Sequence, residues 1–233
     1  MSGIGASIHG LRFSVDLRRT DPSFISLAAH RVIHMTPPLV LASGSQIRAQ
    51  LLQQSGVEIV VNPARIDEEM VKQSLLAEDA SPRDVADTLA ELKARKVSEK
   101  MPGALVLGCD QVLEHRGEIL NKPASKEDAF AQLQKLRSDR HTLLSAAVIC
   151  EDGQPIWRHV GIVRLRMHDI SDQYLSDYID RNWDSIRHSV GAYKLEEEGV
   201  RFFSRIDGDY FTVLGLPLLE LLSYLTLRGD LDR

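Results

Sequence analysis

The 233 residues, 43% of them hydrophobic, are enough to bury a sizeable core as one large domain or two closely packed lobes, which excludes a disordered or fibrous chain. A formal net charge of -5 and a pI near 5.9 argue against a nucleic-acid partner, because phosphate contacts need a concentrated basic surface. No apolar run reaches the roughly 18 to 20 residues that span a bilayer, so a soluble, cytoplasmic protein without a membrane partner is expected. Cys109 and Cys150 lie in apolar runs and read as buried reduced thiols rather than a disulfide framework. The histidines are scattered, with neither a His-x-His pair nor H-E-x-x-H, so a zinc site has little support.

Residues 1–34 mix Arg, Ser and Gly without a sustained period and lack the apolar core of a secretory signal; they read as a disordered, dispensable extension or a mis-assigned start. Residues 35–233 read as a single domain of alternating strands and helices. "PLVLAS" is a short buried strand, "SQIRAQLLQQSG" a helix stopping at Gly56, and "EIVVNP" a second strand. "SPRDVADTLAELKARKVSEK" is a helix with Ser81 as N-cap and Pro82 at its first position, and it puts Val85, Leu89, Leu92 and Val97 near one face. "GALVLGCD" is a third strand that ends on an acid. "QVLEHRGEILNKP" reads as a hairpin turning at "HRGE", and "SKEDAFAQLQKLRS" as an amphipathic helix capped by Ser125. "HTLLSAAVIC" and "PIWRHVGIVRLRMH" form a longer hairpin around "EDGQ". "SDQYLSDYIDRN" is a helix, and "GLPLLELLSYLTLRGD" closes the chain as a largely apolar, well-buried one. The composite is α/β with a mixed sheet.

The joint Ala42-Ser43-Gly44-Ser45, between a strand and a helix, presents free backbone N–H groups at a helix N-terminus, a ready site for an anion such as phosphate. Arg48, in the first turn, adds a forked cation aimed at the same anion, unless Ser45 is an ordinary cap and Arg48 an exposed charge. Asp67 and Glu68 follow the second strand. Asp110 ends the third, at the edge where α/β sheets bind ligands. Hard divalent cations take one or two carboxylates plus substrate phosphates, so these acids suit Mg²⁺ or Mn²⁺. Lys93 lies on a charge-dense helix and by pattern reads as solvated; Lys122, before a proline, is better positioned. Together they describe a metal-assisted polyphosphate site. The P-loop, dinucleotide and G-x-S-x-G signatures are absent.

These motifs, in order, resemble the Maf nucleoside triphosphate pyrophosphatases, also called septum formation proteins: "LVLASGSQIRAQLLQQSGV", "ARIDEE", "LAELKA", "GCDQVL", "GEILNKP", "VGAYKLEEEG" and "IDGDYFTVLGLPL". The resemblance implies a mixed α/β fold of two lobes around a central cleft. It also implies metal-dependent cleavage of a nucleoside triphosphate substrate between the α and β phosphates, and a homodimer. Carried over, Ser43, Ser45 and Arg48 bind phosphate, Glu68 and Asp110 hold the divalent metal, and Glu68, Lys93, Asp110 and Lys122 are catalytic. The family's S-x-S-P-R-R departs here to Gln46 and Ile47, which removes one arginine. Gln111, Lys194 and Glu196 resemble the subgroup acting on 7-methyl-GTP in the house-cleaning of modified nucleotides. A carboxylate favours a base made cationic by N7 methylation. The alternatives are a dTTP/UTP or broad-specificity pyrophosphatase, or a non-catalytic nucleotide-binding regulator of cell division.

Overall fold

The computed structural model describes residues 38–231; the expectations for residues 1–34 lie outside them. The described residues contain a seven-stranded mixed sheet. β1 (Leu39–Leu41) pairs in parallel with β2 (Ile59–Val61) and with β3 (Val106–His115). From β3 the pairing is antiparallel, to β5 (Arg140–Glu151), β6 (Gln154–Met167) and β7 (Phe203–Asp207), while β4 (Glu118–Leu120) pairs with the end of β3. The helices are α1 (Gln46–Gln54), α2 (Glu68–Ala77), α3 (Pro82–Ser98), α4 (Lys126–Leu136), α5 (Asp172–Ile186), α6 (Tyr210–Val213) and α7 (Leu218–Arg228).

Local chemistry accounts for most boundaries. Ser45, Ser81, Ser125 and Ser171 each accept a first-turn backbone N–H, capping α1, α3, α4 and α5. The turns at Arg116-Gly117 and Asp152-Gly153 have positive φ at both residues, the geometry that tight hairpins require. Among the described residues three hydrophobic clusters share the long strands, and in one of them Val112, Leu144, Ala146 and Val148 pack under α3. Leu107, Cys109, Ala147 and Ile149 pack with α1 and α7, whereas Leu113, Leu143, Val163 and Leu165 pack with α4 and α5. Both cysteines are buried and free, and burial raises each thiol to about 11, which keeps them protonated and unreactive.

Several readings need correction. The third strand does not end at Asp110: β3 continues to His115, and Asp110 pairs with Ala146 in mid-ladder. A charged residue tolerates that place because a lysine from α3 meets it. On α3 the buried stripe contains Lys93, and Leu92 is only half-buried, the reverse of the pattern reading. The closing helix α7 buries one face, Leu218, Leu221 and Leu225, and leaves Leu227 76% exposed. α2 and β7 had no counterpart among the predicted elements.

His141, on β5, is 1% exposed, with Nε2 2.8 Å from the Tyr193 hydroxyl and Nδ1 without a partner among the described residues. Burial, reinforced by His115 and opposed by Asp139, pushes its pKa down to about 3. The unfolded chain therefore takes up a proton near pH 6.5 that the native state refuses, and stability is lost as pH falls from about 6.5 toward 3. At about pH 5 this costs about 2 kcal/mol. Urea unfolding midpoints should fall further between about pH 7.5 and about pH 5 in the native chain than in His141→Phe, which starts less stable but loses less. Equal losses would show that His141 is not the group responsible.

Candidate active site

The candidate site is a cleft of about 1000 Å³ lined by Ser43 to Arg48, by Leu143, Tyr193 and Leu195, and by residues of α2 and α3. Its centre is an ammonium. Lys93 is 6% exposed, and its Nζ lies 2.7 Å from Asp110 Oδ1 and 2.9 Å from Glu68 Oε1. Burying a charge is costly unless it is paired, and here one lysine gathers two carboxylates from separate elements.

Gly108 makes that meeting possible. Successive β3 residues point to opposite faces, so Gly108 and Asp110 both face α3. A Cβ on Gly108 would sit 2.6 Å from the Ala94 N and 2.9 Å from the Ala94 Cβ, and closer still to the Ala90 carbonyl oxygen. The helix thus rests directly on the strand, with Lys93 one residue before Ala94 and Asp110 two beyond Gly108. Glu68 arrives from the first turn of α2, capped by Asp67, whose carboxylate accepts the Met70 N–H at 3.0 Å. Partial burial works to raise the Glu68 carboxyl, but the charge and hydrogen bond of Lys93, with Lys122 and Arg48 beyond, outweigh it and hold the group below the ordinary carboxylate value. It is ionised at neutral pH.

The Ser43–Ser45 turn precedes α1 and lines the cleft. Ser45 caps α1, and Ser43 Oγ accepts from the Ser45 N–H at 3.3 Å and from Arg48 Nη1 at 3.1 Å. Arg48 differs from an open fork. Its Nε donates to the Gly215 carbonyl at 2.8 Å and its Nη1 also to the Cys109 carbonyl at 3.1 Å, so it ties the turn, β3 and the Gly215 loop together. Gly215 has φ +92, and a side chain there would press on the guanidinium. Lys122 stands at the cleft wall, exposed, beside Asn121.

Gln111 also lines the cleft but turns to the other face of β3, where its Nε2 donates at 2.9 Å to both Ser145 Oγ and the Val213 carbonyl. Lys194 faces Glu197, with Nζ 3.2 Å from Oε1, and Ser185 donates to the same carboxylate at 2.8 Å. Glu196 lines the cleft, exposed and without an ion-pair partner among the described residues. Lys72 and Asn121 are cleft residues that pattern reading passed over. Recognising α2 would have found Lys72, which follows Glu68 by four residues and so shares its face.

No group of three or more His, Cys, Asp or Glu side chains converges among the described residues. Glu68 and Asp110 converge on the Lys93 ammonium through one oxygen each, and the second oxygen of each carboxylate has no hydrogen bond among the described residues. That donor set fits Mg²⁺ or Mn²⁺ completed by substrate phosphates and water, and does not fit an all-protein cage.

A relative from Roseobacter denitrificans, named nucleoside triphosphate pyrophosphatase, is 75% identical over 199 residues, covering 85% of this chain and 100% of the relative. One from Ruegeria pomeroyi with the same name is 66% identical over 198 residues, with shares of 85% and 100%. A Brucella abortus relative named 7-methyl-GTP pyrophosphatase is 49% identical over 198 residues, again 85% and 100%. The family described as Maf-like protein matches residues 38–227, a span that holds the serine turn, both carboxylates and every lysine of the cleft, and the chain belongs to that family.

Proposed function

We propose that the cleft hydrolyses nucleoside triphosphates between the α and β phosphates, releasing a nucleoside monophosphate and pyrophosphate. The observation that carries this reading is the Glu68–Lys93–Asp110 constellation, set in one cleft with the N-terminus of α1. The names of the Roseobacter and Ruegeria relatives support it.

The serine turn and the first-turn N–H groups of α1 receive a phosphate, and Arg48 keeps that turn in register while contributing its charge. Glu68 and Asp110 would hold Mg²⁺ or Mn²⁺, which in such a position neutralises phosphate charge and polarises the anhydride. Asp110 accepts a hydrogen bond from the attacking water, directs its oxygen at the α phosphorus and takes the proton that the water loses as it adds. As the new oxygen–phosphorus bond forms, the bond from the α phosphorus to the bridging oxygen breaks, and the electron pair leaves with the pyrophosphate. Lys93 and Lys122 stabilise the charge that accumulates there. Little covalent chemistry is asked of the protein.

The base preference we propose is 7-methyl-GTP. Its support is that Glu196 offers the cleft a carboxylate with no ion-pair partner among the described residues while Lys194 is paired with Glu197, together with the name of the Brucella relative. Turnover of dTTP, UTP, CTP, GTP and 7-methyl-GTP, read as pyrophosphate apart from orthophosphate, tests both levels. We expect pyrophosphate release, with 7-methyl-GTP favoured over GTP about tenfold and the preference lost in Glu196→Gln. Equal use of the two guanine nucleotides, or an unchanged preference in the variant, removes the base assignment and leaves the reaction standing. Orthophosphate release would remove the reaction.

A further inference from the structure

Among the described residues five cationic side chains line the cleft: Arg48, Lys72, Lys93, Lys122 and Lys194. Three of them already have partners within the protein that share their charge or their donors. Lys93 is shared between Glu68 and Asp110, Lys194 is paired with Glu197, and Arg48 spends Nε and Nη1 on two carbonyls and a serine. Lys72 and Lys122 have no carboxylate at ion-pair distance among the described residues. Among the described residues the side-chain partner of Lys72 is neutral: its Nζ donates to Asn121 Oδ1 at 2.7 Å. An ammonium has three donors, so its charge and two N–H groups stay available. Asn121 immediately precedes Lys122, and the bond therefore brings α2 and the Lys122 segment together across the cleft wall.

We infer that Lys72 is a phosphate-binding residue that, with Lys122, grips the leaving pyrophosphate, and that Asn121 holds it in position. The inference rests on the triphosphate reading above. Uncompensated cations act most strongly where charge develops, and breaking the anhydride places that charge on the pyrophosphate. The grip has a second effect. α2 contains no fully buried residue, so its place over the cleft depends on polar ties and a few half-buried contacts. Lys72 lies one helical turn beyond Glu68, and seating it on phosphate steadies the helix that delivers Glu68.

The test compares Lys72→Met and Lys72→Arg with the native chain, reading direct binding of inorganic pyrophosphate and of a nucleoside monophosphate by calorimetry, alongside KM and kcat. Lys72→Met should weaken pyrophosphate about tenfold and leave the monophosphate unchanged, with Lys72→Arg recovering most of the loss. Unchanged pyrophosphate affinity in Lys72→Met, or a native chain that does not bind pyrophosphate, overturns the inference. So does an equal loss of both ligands, which would mean that α2 has merely shifted. Because binding is read apart from turnover, a native chain that binds pyrophosphate through Lys72 yet hydrolyses no triphosphate would sink the proposed reaction and spare this assignment.

Discussion

Asp110→Asn should lower kcat by about 10³-fold or more while the protein stays folded. Asp110 is 7% exposed, and among the described residues its side chain bonds only to Lys93. Asparagine keeps the shape and an acceptor oxygen for that bond, and Lys93 retains Glu68 at 2.9 Å, so no buried charge is left alone. The change removes the negative charge that would orient water and hold the divalent cation. Stability and catalysis are therefore separable at this position. Circular dichroism and thermal unfolding close to native, with turnover abolished, are the expected pair of results. Native turnover would remove Asp110 from the chemistry, and an unfolded variant would show that the ion pair, not the reaction, is what the residue serves.

Gly108→Ala should destabilise the protein by about 3 kcal/mol or more, because the added carbon meets helix backbone rather than a side chain that can swing away. The Ala90 carbonyl and the Ala94 N–H can yield only if α3 lifts from β3. For a chain of this size such a loss lowers Tm by about 10 °C, a large part of the usual margin of stability. The same movement pulls Lys93 from Asp110, so activity should fall further than the unfolded fraction explains. Gly44→Ala is the control. There the new carbon finds only Pro63 at 3.8 Å, an ordinary contact, and Tm should hold. A Gly108→Ala protein with native Tm would show that α3 and β3 have room between them, and the account of how Lys93 is positioned would fail.

Much of this architecture is legible in the sequence because the signals are local. Ser81 with Pro82 starts α3 where expected, Gly56 ends α1 at a positive φ, and Asp152-Gly153 turns the longest hairpin. What escapes pattern reading depends on distant partners. β3 reads as stopping at Asp110 because an acid and then Gln111 interrupt the apolar run, yet the ladder continues. The acid is matched by Lys93, seventeen residues earlier, and the amide by Ser145 and Val213. Lys93 reads as solvated for the same reason, since nothing along its helix announces a carboxylate above it. α2 escapes because its half-buried residues, Val71 and Leu75, are few and its exposed ones include Met70 and Leu76, so its apolar pattern points in no single direction. Lys72 went unnoticed with it. At Arg48 the residue type and the turn are legible, whereas its bond to the Gly215 carbonyl joins segments far apart in the chain.

The most direct test of the central claim is hydrolysis by the native chain in ¹⁸O-labelled water, with pyrophosphate, orthophosphate and nucleoside monophosphate quantified separately. Attack at the α phosphorus predicts equal amounts of monophosphate and pyrophosphate, no orthophosphate, and the label in the monophosphate. Label in the pyrophosphate would move the attack to the β phosphorus, and orthophosphate with a nucleoside diphosphate would move it to the γ phosphorus. Either result would contradict the arrangement of Asp110, Glu68 and the lysines described for this cleft.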